Sequence, residues 1–220
     1  GPMRRWDYKA AQRPDYLIAN STHTKEQIKK YYNRDSQVIF PPVNIVRFKG
    51  LAKNDKRSGF VCVGRLAPYK RIDLAVKACT KLDQPLTILG GGPELQNLQN
   101  IAGLNVRFNP MPTDEDINQA LGSSAGFIFP GLDDFGIAPV EALAAGTPVI
   151  AYKSGGALDY IQDGKNGLFF NEQSTTSITN AIDHMEDIKY SSDDIKKTAI
   201  NFSIEKFQKS MQNEIDKILQ

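Results

Sequence analysis

The sequence predicts an α/β protein centred on a doubly wound parallel sheet, and three observations carry that expectation. Short apolar runs rich in β-branched and aromatic residues recur without polar alternation, the pattern of strands covered on both faces. Helical stretches separate these runs, so successive strands run parallel through helical crossovers. Glycines and charges then gather at the carboxyl ends of the runs: Gly64-Arg65, Gly90-Gly91-Gly92-Pro93, Asp133-Asp134-Phe135-Gly136 and Ser154-Gly155-Gly156. Ligands of open parallel sheets settle at that edge.

The elements follow in order. "DYLIANS" reads as a short strand, and "THTKEQIKKYY" as a helix capped by Ser21 or Thr22. "SQVIFPPVN" is a strand closed by Pro41-Pro42, and the Lys- and Asn-rich "NIVRFKGLAKNDKR" marks a domain boundary. Beyond it, "SGFVCVG" leads into a helix from about Lys70, with Ile72, Ala75, Val76 and Cys79 on one face. "PLTILG" leads into "GGPELQNLQNIA", "LNVRF" into "PTDEDINQALG", and "AGFIFP" into "GIAPVEALAAG" and the strand "PVIAY". From Ser203 the tail is an amphipathic helix whose stripe is Ile204, Phe207, Met211, Ile215 and Ile218.

Composition narrows the function. With 220 residues the chain holds one large domain, or one domain and part of another. Its 27 basic and 25 acidic residues leave a net charge of +2, which argues against a nucleic-acid partner. Cys62 and Cys79 lie in apolar stretches and read as free core thiols, as in a reducing, cytoplasmic compartment. No apolar run is long enough to span a membrane, no signal peptide is visible, and Gly1-Pro2 reads as a remnant of tag cleavage. Arg4, Arg5 and Trp6 leave two readings open, peripheral contact with the inner membrane face or a solvated basic end. His23 and His184 read as structural or solvent-facing, and nothing has metal-ligand spacing, so no metal is expected.

The strand ends carry the chemistry. The Gly90–Pro93 turn lets the backbone approach a ligand, and a helix starting at Pro93 or Glu94 suits a phosphate; a purely steric turn is the alternative. The spacing is not that of a dinucleotide fingerprint. Arg65 and Lys70, between a strand end and a helix, suit a diphosphate, the Arg as a fork and the Lys as a point charge; two unrelated solvated charges are the bland reading. Glu141 shares an apolar stripe with Ile137, Val140 and Ala144, and a buried carboxylate needs donors. Vicinal hydroxyls of a ligand would supply them, as would backbone N–H groups or a Lys. Asp133 lies eight residues earlier, and Phe135-Gly136 form the mouth of the helix, where another phosphate oxygen fits. An elongated anion bearing a hydroxylated ring fits the whole set.

Three segments, "GRLAPYKRIDLAVKA", "LTILGGGPE" and "DDFGIAPVEALAAGTPVIAYKSGGALDYIQDGKNGLFF", closely resemble the carboxy-terminal, donor-binding domain of family 4 glycosyltransferases. The resemblance covers about residues 57 to 190 and leans to the mannosyltransferase-like branch. It implies a Rossmann-like domain, the carboxy-terminal half of a GT-B fold. Residues 3–45 would be the last strand and helix of an otherwise absent acceptor domain plus the crossover. Residues 46–57 would be a linker, 58–200 the donor-binding domain and 203–220 the carboxy-terminal helix.

The resemblance also implies roles. Arg65 and Lys70 would bind the donor diphosphate, with Gly64 and Gly91 in the adjoining turns, and Glu141 the ribose hydroxyls. Asp133 would lie beside the transferred sugar, in a D-x7-E motif where relatives have two Glu. The backbone at Phe135, Gly136, Ile137 and Ala138 would meet the sugar and distal phosphate, and Arg107, Phe108 and Met111 would lie nearest the base. Transfer would proceed with retention and without metal or other cofactor, from a GDP-linked sugar by preference and a UDP-linked one otherwise. The partners would be that nucleotide sugar and a glycan or lipid-linked acceptor met through the absent domain. The 220 residues alone are therefore expected to bind donor without transferring it. The rivals are a non-catalytic nucleotide-sugar-binding or regulatory module acting with a separate subunit, and an unrelated doubly wound domain for another phosphorylated metabolite.

Overall fold

The computed structural model describes residues 1–50 and 57–219 and divides them between a small amino-terminal unit and a larger α/β unit. The small unit comprises α1 (Pro2–Ala11), β1 (Ile18–Ala19), α2 (Thr22–Tyr32) and β2 (Gln37–Val38), with the two strands paired in parallel. Ser21 caps α2, its hydroxyl accepting from the Thr24 N–H at 2.9 Å. The strands are only two residues each, shorter than "DYLIANS" and "SQVIFPPVN" suggest. Among the described residues each pairs only with the other, and Pro41 and Pro42 cannot donate to a ladder. Helix α1 was not expected from the sequence because it buries no residue and so has no apolar stripe to read.

The crossover is firmly attached. The Val43 N–H donates to the Phe202 carbonyl at 2.8 Å, and residues Ile45–Phe48 form a 3-10 turn whose Phe48 is buried in the core. Residues 46–48, expected as the start of a linker, therefore belong to the packed structure. A turn this short has no periodicity to betray it. Residues 51–56 of the expected linker lie outside the described residues.

The large unit runs β3 (Phe60–Val63), a 3-10 turn (Pro68–Lys70), α3 (Ile72–Lys81), β4 (Leu86–Leu89), α4 (Leu95–Ile101), β5 (Val106–Asn109) and α5 (Asp114–Ser123). It continues through β6 (Gly126–Phe129), α6 (Ile137–Ala144), β7 (Val149–Tyr152), α7 (Ala157–Tyr160), β8 (Gly167–Phe170), α8 (Thr175–Glu186), α9 (Ser192–Ala199) and α10 (Ile204–Ile218). The six strands pair in parallel in the order β5-β4-β3-β6-β7-β8, the doubly wound sheet the sequence predicts. Strand order reverses between β3 and β6, which leaves a crevice outside their carboxyl ends.

Two cores cover the two faces. One gathers Leu74, Val76, Leu98, Ile178 and Ile182 from α3, α4 and α8; the other gathers Leu121, Val140, Leu143 and Ile195 from α5, α6 and α9. Within β3, Val61 enters one core and Cys62 the other, which is why the strand shows no polar alternation. Arg57 ties the helix ends together from the opposite edge, its guanidinium donating to the carbonyls of Leu121, Ser124 and Ala145.

Two helix starts differ from expectation. Arg71, at φ +51°, separates the 3-10 turn from α3, so α3 begins at Ile72 rather than about Lys70. Helix α4 begins at Leu95, after a turn in which a Cβ at Gly92 would meet the Leu66 carbonyl oxygen at 2.5 Å. That turn is drawn tight against the loop after β3. Helix α10 buries no residue: Phe207, Met211 and Ile218 are half-buried, while Ile204 and Ile215 are exposed. Its far end, Glu214 and Ile218, borders a cleft of about 430 Å³ shared with residues 15–18 and 34–37.

Candidate functional site

The switch point fixes where charge collects. Lys70 ends the 3-10 turn after β3, Asp133 sits in the loop after β6, and the Lys70 ammonium donates directly to the Asp133 carboxylate. Both side chains are largely enclosed, at 21% and 14% exposure. Arg65 lies on the same edge, exposed, and its side chain has no partner among the described residues. Gly64, at φ +141°, has open space where a side chain would stand.

Helix α6 opens onto this edge. Gly136 precedes it at φ +88°, no side chain caps it, and Pro139 has no N–H to offer. The first amides, Ile137 and Ala138, are therefore uncapped donors at the positive end of a helix. The Phe135 ring is buried against Phe40, Tyr160 and Phe202, with centroids 5.9, 5.5 and 5.7 Å away. The Tyr160 hydroxyl donates to the Phe135 carbonyl at 2.9 Å. Only the backbone of Phe135 thus remains for a ligand.

The paired glycines after β7 explain how this loop is held. The Gly156 N–H donates to the Asp133 carbonyl at 3.0 Å, and a Cβ there would meet the Phe135 and Asp134 carbonyl oxygens at 2.5 and 2.6 Å. Only glycine allows that approach.

One turn inside α6, Glu141 is the helix's single charge, at 16% exposure. Its partner is Arg47 of the 3-10 turn Ile45–Phe48, with Nη1 3.3 Å from Oε1. Burial pushes the Glu141 carboxyl up from its ordinary range; Arg47 pulls it back and Asp114 pushes it further up. Arg47 was missed in the sequence, although a carboxylate on an apolar stripe already demands a cation.

The expected base loop is less gathered. Arg107 is exposed on β5, Met111 is 87% exposed beyond it, and Phe108 packs partly into the core under α3 and α4. Gly91 stands in the turn after β4, its carbonyl accepting from the Leu66 N–H at 2.9 Å. Among the described residues no group of His, Cys, Asp or Glu is arranged to hold a metal ion, and no helix is long and apolar enough to cross a membrane. His23 and His184 lie in α2 and α8, away from the Lys70–Asp133 pair in the chain.

The sequence profile of glycosyl transferases group 1 matches residues 44–202. The chain belongs to that family. The match begins beside Arg47 and takes in every strand of the six-stranded sheet. Among curated glycosyltransferases, the chain is 34% identical over 140 residues to a GDP-mannose-dependent α-(1-6)-phosphatidylinositol monomannoside mannosyltransferase of Mycolicibacterium smegmatis, covering 56% of this chain and 37% of that protein. It is 27% identical over 197 residues to a D-inositol 3-phosphate glycosyltransferase of Mycobacterium bovis, covering 78% and 41%. The chain thus spans about two fifths of the curated relatives it matches.

Solved GT-B glycosyltransferases share the fold. One from Rickettsia africae superposes with a TM-score of 0.83 at 19% identity, covering all of this chain and 68% of that one. Anabaena HepE in complex with UDP-glucose gives 0.81 at 20%, covering 97% and 67%.

Proposed function

We propose that the chain is the donor-binding part of a retaining glycosyltransferase that moves a sugar from a nucleoside diphosphate sugar to an acceptor hydroxyl in glycan or polysaccharide synthesis. The observation that carries this reading is the arrangement at the switch point: Lys70 of the turn after β3 meets Asp133 of the loop after β6, that loop leads into the uncapped start of α6, and Arg65 lies exposed in the turn after β3. A leaving diphosphate carries developing negative charge, and fixed cations with oriented amides stabilise it without reorganising. Metal is not needed for that task. Glu141 would accept from the ribose hydroxyls, and Asp133 would lie beside the transferred sugar.

The donor is GDP-linked, mannose by preference, because the relative at 34% identity is GDP-mannose-dependent; a UDP-linked donor is the second choice. The acceptor is a glycan or lipid-linked hydroxyl. The proposed setting is the cytoplasm, where the buried free thiols Cys62 and Cys79 stay reduced. Trp6, exposed beside Arg4 and Arg5 on α1, offers a surface for peripheral contact with the inner membrane face.

Transfer requires donor and acceptor to be held together away from water. The described residues furnish one wall of such a cleft, so the 220 residues alone are proposed to bind donor without appreciable transfer. The test follows radiolabelled mannose from GDP-mannose in the presence of crude membrane acceptor. Bound donor with negligible turnover supports the reading; turnover of about 1 per second or faster contradicts it.

A further inference from the structure

Arg47 is fixed by groups other than Glu141. Its Nε donates to Asn118 Oδ1 on α5 at 2.9 Å, its Nη1 lies 3.7 Å from Asp114 Oδ1, and the guanidinium covers the Phe48 ring at 4.9 Å from the centroid. Glu141, by contrast, makes no hydrogen bond through its side chain among the described residues. The ion pair engages Oε1, and among the described residues no hydrogen bond reaches Oε2. One arginine, seated by α5 and its own turn, thus holds one oxygen of the carboxylate on α6.

We propose that Arg47 is a positioning residue for donor recognition: through this ion pair it keeps Glu141 as the ionised, acceptor-only carboxylate that takes hydrogen bonds from the vicinal diol of the donor's ribose. The inference rests on the reading of Glu141 as the diol acceptor. A half-buried carboxyl left alone drifts toward its neutral form, which spends one oxygen as a donor and accepts more weakly. Three groups set that balance: the protein around α6 by burial and Asp114 of α5 both favour the neutral form, and Arg47 opposes them. Because a guanidinium does not lose its proton in proteins, its hold does not fade with pH as that of a histidine would. The buried Nη2 of Arg47 has no hydrogen-bond partner among the described residues, so the arginine is not seated for its own hydrogen bonding alone.

The experiment measures binding by calorimetry from about pH 8 to about pH 5, using whichever of GDP and UDP binds the wild type more tightly, and its 2′-deoxy analogue. The variants are Arg47→Met, Glu141→Gln and the double variant, each checked for folding by circular dichroism. Arg47→Met is expected to lose about tenfold more affinity at the acid end than the wild type does, because the carboxyl without its cation takes up a proton more readily. That loss shrinks with the 2′-deoxy analogue, and the double variant binds no worse than Glu141→Gln. Arg47→Gln, neutral but able to bond Asn118, must show the same pH dependence and carries the test if Arg47→Met does not fold. A wild-type pH profile in these variants, or losses that add in the double variant, would overturn the role of Arg47 while leaving that of Glu141 standing. Wild-type affinity in Glu141→Gln, or no binding of either nucleotide to the wild type, overturns the ribose reading and this inference with it.

Discussion

Lys70 and Asp133 close on each other across the switch point of the sheet, the ammonium from the turn after β3 and the carboxylate from the loop after β6. On the proposed reading, a diphosphate would compete with Asp133 for the same ammonium. Replacing the two members of the pair should therefore have opposite consequences. Lys70→Met is expected to weaken nucleoside diphosphate binding by about 1.5–3 kcal/mol, the worth of a hydrogen bond to a charged group. Asp133→Asn frees the ammonium and should leave binding unchanged or tighter. Equal losses in both variants, read by calorimetry, would show the pair to be structural.

Glu141→Gln should weaken nucleotide binding by about 1.5–3 kcal/mol, through loss of a charged acceptor. Stability separates this from a purely structural role. Because the folded carboxyl titrates above its ordinary range, its contribution is present below that range and is lost as pH rises through the folded value. The wild type should accordingly lose stability relative to Glu141→Gln over a window that opens at the usual carboxylate range and extends upward. Urea unfolding across that window checks the sign, and the opposite slope sinks the electrostatic account.

Gly156→Ala tests the packing beneath the site. Its φ of −65° suits alanine, so only the close approach to Phe135 and Asp134 opposes the new methyl. The expected cost is about 1–3 kcal/mol of overpacking, with weaker nucleotide binding as the Asp133–Gly136 loop shifts. A thermal midpoint equal to wild type would mean that the loop yields freely.

The thiols should be silent in the folded protein. Cys62 and Cys79 are both buried, and burial pushes Cys62 well up and Cys79 up to about 12, so neither presents a thiolate. A thiol reagent near neutral pH should label both only after denaturation. Rapid labelling of the native protein contradicts the described core.

Much of this was legible in the sequence because it lies in residues that announce themselves. Unbroken apolar strands gave the parallel sheet, and the acids and glycines after β6 and β7 marked the carboxyl edge on which the candidate site lies. What stayed hidden depended on contacts between distant segments. Arg47 meets Glu141 across 94 positions of chain, in a run that reads as polar linker. Tyr160 supports the Phe135 carbonyl from α7, a helix of four residues with no period to detect. Beyond β7 the short strand β8 and helix α9 drew no separate expectation, and the helix around His184 reads as surface-like, although α8 and α9 complete the two cores. The turn Gly90–Pro93 is the instructive case. Its glycines suggest a ligand, yet Gly92 is already filled by the backbone of Leu66 and α4 is short.

The most direct test of the central claim is a calorimetric titration of the wild type and Lys70→Met with GDP, UDP and ADP, with and without EDTA. The account predicts saturable binding of at least one of the three to the wild type, unchanged by EDTA and weakened in Lys70→Met. No binding to any of them, or binding that EDTA abolishes, would contradict it.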